Sequence, residues 1–240
     1  MLKQYLDLLC IEGKMTIKAR LRYKVRLLSD LLILSVTFIL VLNSQNGNPF
    51  LDSYGVSNDT SQFLIMIGFL FWQFGSLSLG FSTSLISSDA SNGMLELKVQ
   101  GKFSIIFLSF YKMFISIITD LFIVFAITLL FAVINTISMK EIYFIFLTVL
   151  INIPSILGMY GIGLLISYLT IKEKNVSSFV LIIQTLLIFV TNITSPLTNK
   201  SLLIIPYTSG VELTRNLYVY GSFDGKLFIF YIVVNTVWLL

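Results

Sequence analysis

The stretch SSDASNGMLELKVQGKFS, Ser87–Ser104, interrupts an otherwise apolar sequence and separates a run that ends near Ile86 from one that begins near Ile105. Its first residues are small or acidic, and their side-chain oxygens can accept hydrogen bonds from the free N–H groups at the start of a helix. Gly93 permits a tight entry into that helix. Four of the next six residues are apolar and two are charged: Met94, Leu95, Leu97 and Val99, with Glu96 and Lys98. The pattern predicts a short amphipathic helix outside the bilayer, ready to contact a partner.

The composition indicates which solvent surrounds the chain. Of the 240 residues, 56% are hydrophobic and 12% are charged. A chain of this length cannot bury so much apolar side chain against itself, so lipid has to cover the rest. We therefore expect an all-α integral membrane protein. The single cysteine, Cys10, cannot form an intrachain disulfide, and the lack of histidine removes the most common metal ligand and general base.

Six apolar runs follow a basic leader, and together they form a single predicted transmembrane domain, 1–240. The leader, 1–26, carries a leucine and isoleucine stripe and many cations, which predicts an interfacial helix; a positively charged anchor without a separate helix is the alternative. The runs are 27–43, 62–86, 105–137, 142–169, 177–194 and 227–240. A crossing takes ~20 helical residues, so the first five qualify, some of them only with tilt or with polar ends drawn into the interface. The sixth is either a truncated span or a short helix. A cleavable signal peptide is not expected, because no A-x-A-like site follows the first run.

The basic residues predict the orientation of the chain. With a cytoplasmic N-terminus, twelve of the 16 Lys and Arg residues lie on the cytoplasmic side: seven in 1–26, together with Lys98, Lys102, Lys112, Lys172 and Lys174. The others lie outside, and they are Lys140, Lys200, Arg215 and Lys226. The positive-inside rule therefore favours a cytoplasmic N-terminus and places the 87–104 loop in the cytoplasm.

The cytoplasmic loop resembles the first cytoplasmic loop of ABC-2-type transporter permeases. Gly93-Met94-Leu95-Glu96 matches the core of that family's motif, Gly101 lies at the return of the loop, and Lys112 matches a basic residue of the next helix. The sequence departs from the family pattern at Asn92, where a charged residue is frequent, and it has no proline after Glu96. The resemblance extends over the leader, the six spans and the last extracellular region.

The resemblance implies a fold and a function for the whole chain. The fold has six transmembrane helices, an N-terminal interfacial helix, a cytoplasmic coupling helix and an extracellular re-entrant segment. The function is that of the permease subunit of a bacterial exporter in the plasma membrane, with an unspecified substrate such as a drug, peptide, lipid or glycan. Two permease copies, identical or paired as a heterodimer, surround the path, and a separate ATPase carries ATP and Mg²⁺. The coupling residues are Gly93, Met94, Leu95, Glu96 and Leu97.

The largest predicted external piece, 195–226, is similar to the last extracellular region of this family. Pro196 and Pro206 divide it, and a short helix follows the second proline. Glu212 and Arg215 are three residues apart, so they can pair on one face of that helix. We regard the two residues as a candidate extracellular gate. The alternative is a solvated salt bridge that contributes little.

A few residues within the spans differ from their apolar surroundings. Ser76, Gly80 and Ser84 form a ridge of small residues on the second span, which predicts close packing with another helix. Asp120 lies near the middle of the third span, 105–137, where a charge is costly unless it faces the bundle or water. A place on the substrate path is one interpretation of Asp120. The alternatives are snorkelling or a hydrogen bond to a neighbour such as Thr119 or Asn152.

The motifs that the sequence lacks exclude several functions. It has no G-x-x-x-x-G-K-[ST] phosphate loop, no Cys/His metal spacing and no G-x-S-x-G elbow, so we expect neither an enzyme nor a metal protein. Lipid explains the basic leader without nucleic acid. Two other classes stay open: a stand-alone membrane immunity or resistance protein without an ATPase, and a membrane-embedded enzyme acting on lipids. The second would need a cluster of polar residues at one interface, and the sequence has none.

Overall fold

The structure, a computed structural model, describes residues 9–11, 13–18, 22–43, 49–100, 104–134, 137–173 and 177–240. Every regular element within these ranges is a helix, which confirms the predicted all-α class. In the leader, 9–11 and 13–18 are helical. Residues 1–8, 12 and 19–21 of the predicted interfacial helix lie outside the described residues.

The helices are numbered here in chain order. They are α1 (Lys24–Asn43), α2 (Leu51–Tyr54), α3 (Asn58–Ser91), α4 (Met94–Val99), α5 (Ile105–Ile134), α6 (Met139–Ile151), α7 (Ile153–Glu173), α8 (Ser177–Val190), α9 (Thr208–Tyr220) and α10 (Gly225–Leu239), with a 3-10 helix at Lys200–Ile204 between α8 and α9.

The bundle is built around α3. The side chain of Ser57 caps its first turn by accepting a hydrogen bond from the backbone N–H of Thr60, and the helix then runs for 34 residues. At ~1.5 Å per residue it is about 50 Å long. The most apolar 18-residue stretch of α3 is 89% buried, whereas the corresponding stretch of α5 is 39% buried. The most extensive packing partner of α3 is α7, which in turn packs on α10. Helix α3 is therefore the central helix, and α5 lies nearer the periphery.

Among the described residues, two helices are long and apolar enough to cross a membrane, Asn58–Ala90 and Ile106–Val133. They correspond to the predicted runs 62–86 and 105–137. The predicted run 142–169 is divided into α6 and α7, which meet at an angle of 41° and make a third span only if they are counted as one. The division lies at Asn152, next to Pro154, a residue that has no backbone N–H to donate and disfavours helix before it.

Among the described residues, two other apolar helices, α8 and α10, are shorter than the ~20 residues that a straight crossing needs. Helix α1 has 20 residues, and its apolar part is Leu28–Asn43. The predicted run 27–43 therefore lies within a helix, whereas the run 177–194 is helical only as far as Val190 and is followed by turns. The short last helix agrees with the prediction for 227–240.

Polar contacts are found at both ends of α3. Where the helix begins, the phenol of Tyr54 donates a hydrogen bond to Glu212 and its ring lies 6.1 Å from that of Tyr220. Where the helix ends, the ammonium of Lys98 lies 2.5 Å from the carboxylate of Asp89. The segments that the sequence assigns to opposite sides of a membrane thus lie at opposite ends of the central helix.

The segment between α8 and α10 folds as a hairpin along α10. The indole of Trp238 near the end of α10 donates to the carbonyl of Ile204 at 2.8 Å, and the amide of Asn235 donates to the carbonyl of Pro206 at 3.0 Å. Helix α9 then returns toward the beginning of α3, where its last residue, Tyr220, contacts the short helix α2. Of these two contacts, the one at Ile204 lies farther along α10, so the end of the 3-10 helix reaches deeper than Pro206.

A candidate functional site in a polar cavity

A cavity of about 840 Å³ lies between α1, α3, α5 and α8. Its polar lining includes Asp30, Gln73, Ser76, Ser116, Asp120 and Gln184. Polar side chains inside a helical bundle are costly unless they are hydrogen-bonded or hydrated, so a polar cavity of this size is suited to hold water or a solute. Cavities of a few hundred to a thousand cubic ångströms are also the usual size of small-molecule sites.

One wall of the cavity is formed where α3 contacts α8. The indole N–H of Trp72 donates to the backbone carbonyl of Gln184 at 2.9 Å, and the amide of Gln184 donates to the backbone carbonyl of Ser76 at 2.7 Å. Trp72, Ser76 and Gly80 recur every four residues, so they lie on one face of α3. These reciprocal bonds fix the position of α8 on α3 at the cavity.

The ridge of small residues predicted on the second span lies along this cavity. Gly80 faces the amide of Gln184, since a Cβ at this position would lie 2.6 Å from its nitrogen, and Ser84 is exposed and lines the cavity. The backbones of α3 and α7 approach closely at Gly163 of α7, where a Cβ would meet the hydroxyl of Ser82 and lie 2.8 Å from the carbonyl oxygen of Leu79. Because the ridge borders a cavity, it accommodates a side chain and not the helix backbone that the pattern predicts.

Gly80 and Gly163 should therefore respond differently to substitution by leucine. We expect Gly163→Leu to lower the apparent unfolding temperature in detergent clearly more than Gly80→Leu, because the leucine at 163 meets backbone atoms that cannot move independently. At position 80 only the flexible end of Gln184 has to shift. Thermal unfolding of both purified variants tests this, and an equal loss of stability would contradict the assignment of the close contact to α7.

Two carboxylates from different helices face the cavity. Asp120 on α5 is only 1% exposed, so its side chain points into the bundle and not toward a lipid interface as snorkelling would require. Asp30 on α1 lines the same space. Sequence reasoning singled out Asp120 but missed Asp30, although an acidic residue within the predicted span 27–43 was the signal that was available.

Gln73 is a second residue that sequence reasoning missed. Its side chain is 1% exposed and lines the cavity, and neither its amide nitrogen nor its amide oxygen has a hydrogen-bond partner in the described part of the chain. A buried amide without partners is unfavourable by about 1–3 kcal/mol. The residue was visible in the sequence as an uncharged polar side chain within the apolar run 62–86.

A second, smaller cavity of about 550 Å³ continues toward the end of α3. It shares Asp30 and Asp120 with the larger cavity, and it also touches Asp89, Lys98 and Lys112. The Lys98 ammonium is paired with Asp89. The polar interior thus extends from the middle of the bundle to the α3–α4 turn.

Helix α4 coincides with the predicted coupling helix. Gly93 begins it with a φ of 65°, a left-handed conformation that favours glycine. Met94 and Leu97 are 45% and 63% exposed, and Glu96 is exposed as well. Apolar side chains of this size on an exposed short helix are available for a partner. The side chain of Leu95, and the residues Gly101 and Lys102, lie outside the described residues.

The expected ion pair between Glu212 and Arg215 is not formed. Arg215 is completely buried, and its guanidinium donates to the backbone carbonyls of Leu64 (2.9 and 3.0 Å), Asn192 and Ile193 (2.6 Å). Its charge also lies 4.7 Å from the ring centre of Phe50. The alternative of a solvated salt bridge is therefore wrong, because the hairpin encloses Arg215 against the beginning of α3. Burial lowers the pKa of Arg215 to about 10, so it remains charged at neutral pH.

Glu212 has partners of its own. It accepts hydrogen bonds from the phenol of Tyr54 and from the amide of Asn192, the latter at 3.1 Å. Burial, followed by the charge of Glu212, raises the pKa of Tyr54, so the phenol keeps the proton that it donates. The two predicted gate residues thus fasten α9 to different neighbours, Glu212 to the short helix α2 and Arg215 to α3 and the turn after α8.

No described group of three or more His, Cys, Asp or Glu side chains is arranged to hold a metal ion. Comparison with known proteins gives no match: no family model, no curated protein and no solved structure resembles the chain.

Proposed function

We propose that this chain is the permease subunit of an ATP-binding cassette exporter in a bacterial plasma membrane. Its N-terminus is cytoplasmic, six helices of the domain 1–240 enter the membrane, and a separate ATPase supplies ATP hydrolysis. The resemblance of Gly93-Met94-Leu95-Glu96 to the ABC-2 family is the starting point. A second support is that α3 runs from this motif to the polar cavity.

The attachment of α4 to α3 is the observation that carries the proposal. The turn at Gly93 joins the two helices directly, and the Asp89–Lys98 ion pair connects them a second time. A force applied to the exposed side of α4 is therefore transmitted to the end of α3. Because α3 is the central helix and lines the cavity, its displacement changes the cavity as well.

The opposite end of the bundle supplies the outer closure of the path. The hairpin between α8 and α10 acts as the re-entrant segment, since it reaches along α10 to Trp238 and returns through α9. Glu212 and Arg215 hold this hairpin against α2 and α3. An outward-open state then requires these contacts to shift, which is how they serve as a gate.

The proposed assembly contains two permease chains and two ATPase subunits. ATP and Mg²⁺ are bound by the ATPase, and this chain needs no cofactor of its own. Many large apolar side chains of α5 are exposed, including Phe114, Phe122 and Phe125, and they are suited to contact lipid or the second permease copy. Alternating access follows if nucleotide binding favours one of two arrangements of the bundle.

Photocrosslinking at α4 tests this proposal. A photoreactive amino acid at position 97, in the tagged full-length chain in its native membrane, is expected to crosslink to a protein with an ATP-binding cassette ATPase sequence. The same amino acid at position 200, on the 3-10 helix, is the control and is expected not to reach that ATPase. If neither position crosslinks to such an ATPase, or if both do so equally, the proposal fails.

A further inference from the structure

We propose that the cavity between α1, α3, α5 and α8 binds an organic cation that also carries an apolar part. This inference rests on the proposed function and specifies the class of substrate that the exporter transports. The charge, the hydrogen-bonding groups and the apolar walls of the cavity support it.

The charged groups of the larger cavity have one sign. Asp30 and Asp120 enter it from α1 and α5, and none of its described lining residues is basic. Two cations, Lys98 and Lys112, line the smaller cavity, which shares Asp30 and Asp120 with the larger one, and Lys98 is paired with Asp89. In a bundle of low polarity the attraction between a carboxylate and a ligand cation is stronger than in water. A cation is therefore favoured over an anion of the same shape.

Gln73 is an independent indication of a ligand. Its amide is buried at the cavity wall, and both its nitrogen and its oxygen are without a hydrogen-bond partner among the described residues. Buried polar groups of folded proteins are almost always hydrogen-bonded, and the exceptions call for a specific explanation. A ligand with a donor or an acceptor at this position satisfies the amide.

The remaining walls are apolar and partly aromatic. Trp72 and Phe81 lie on the α3 side, while Ile33, Leu34 and Leu181 come from α1 and α8. Aromatic faces attract cations, and the aliphatic side chains accommodate the uncharged part of the ligand. The volume of about 840 Å³ accommodates a molecule the size of a drug.

The test uses two ions of nearly equal shape and opposite charge, tetraphenylphosphonium and tetraphenylborate. Their binding to the purified full-length chain in detergent is measured by equilibrium dialysis, with empty micelles subtracted. We expect tetraphenylphosphonium to bind more tightly by at least about tenfold, and Asp30→Asn to weaken its binding by about tenfold, the effect of losing one charge contact. Asp30→Glu, which keeps the charge, is expected to retain the preference for the cation.

Asp59→Asn is the matched control, because Asp59 is exposed at the beginning of α3 and outside the cavity. It is expected to leave binding unchanged. Equal affinity for the two ions, no binding of the cation, or an unchanged affinity in Asp30→Asn would each overturn the cation site. The assay contains no ATPase, so its failure leaves the coupling proposal standing, and a failed crosslink at position 97 leaves the cation site standing.

Gln73→Leu provides a second variant that does not depend on the stability of Asp30→Asn. Removal of an amide without partners should leave the unfolding temperature of the ligand-free chain unchanged or raise it. Tetraphenylphosphonium has no hydrogen-bonding group, so its affinity should not fall, whereas the affinity for 3,3-diphenylpropylammonium, a cation with N–H donors, should fall because the Gln73 oxygen can accept from it. If Gln73→Leu lowers the stability and leaves the affinity for 3,3-diphenylpropylammonium unchanged, the amide is structural and its use as evidence for a ligand is refuted.

Discussion

Replacing Arg215 with methionine is expected to reduce the stability of the protein by about 3 kcal/mol. The guanidinium is completely buried and donates to carbonyls of residues 64, 192 and 193, which belong to α3 and to the turn after α8. Methionine fills a similar volume but cannot donate, so these buried carbonyls lose their partners. The hairpin is then no longer fastened to the central helix.

Thermal unfolding in detergent measures this effect. Arg215→Lys should be intermediate, because an ammonium keeps the charge but lacks the planar fork that reaches several carbonyls at once. Lys200→Met is the matched control, since Lys200 is exposed on the 3-10 helix. Should Arg215→Met and Lys200→Met unfold at the same temperature, the buried guanidinium does not hold the hairpin in place.

The short helix α4 was predictable because its signals are local. A glycine and a brief mixture of apolar and charged residues are sufficient to specify a helix of six residues, Met94–Val99. The predicted capping by side chains before Gly93 is wrong, because α3 continues to Ser91 and Gly93 occupies the N-cap position without a side-chain hydrogen bond. The two long helices were likewise visible as the apolar runs 62–86 and 105–137, although α3 begins at Asn58 and ends at Ser91, beyond both ends of its run. For these elements the residues that determine the structure lie next to one another in the chain.

Other features depend on contacts between distant residues and were not predictable in the same way. The division of the run 142–169 at Asn152 is stabilised by the amide of Asn152, which donates to the carbonyl of Leu70 on α3 at 3.3 Å. Hydropathy does not detect such a contact, since the residues on both sides of the division are equally apolar. Pro154 was the local signal, but a proline in the first turn of a helix is also compatible with a continuing span.

The burial of Arg215 shows the same limit. A glutamate and an arginine three residues apart predict a pair on one helix face, and nothing in their spacing indicates that the face is covered. Arg215 is enclosed by residues more than a hundred positions earlier in the chain, the carbonyl of Leu64 and the ring of Phe50. The polar cavity was predicted only in part for the same reason. The charge of Asp120 marked it as a candidate site residue, whereas Gln73 is uncharged and was not identified.

The second large effect is expected at α4. Leu97→Asp places a charge on an apolar side chain of that helix that is 63% exposed, and Glu96→Lys reverses a charge beside it. Both changes should disrupt docking into an ATPase cleft while leaving the bundle intact, because neither side chain is buried. We expect ATP-dependent movement of the bundle to be lost. Leu51→Asp, an equally exposed leucine at the other end of α3, is the matched control and should have no such effect.

The accessibility of the cavity to a maleimide measures this coupling without knowledge of the substrate. Ser84→Cys introduces a thiol on α3 that lines both cavities, and Cys10→Ser removes the single native cysteine. The complex with the ATPase is labelled once without nucleotide and once with ATP trapped. We predict labelling rates that differ severalfold between the two states, and rates that become equal when Leu97→Asp is added. Equal rates in both states of the complex with an unaltered α4, with ATP hydrolysis confirmed, would contradict the account of this chain as an ATP-driven permease.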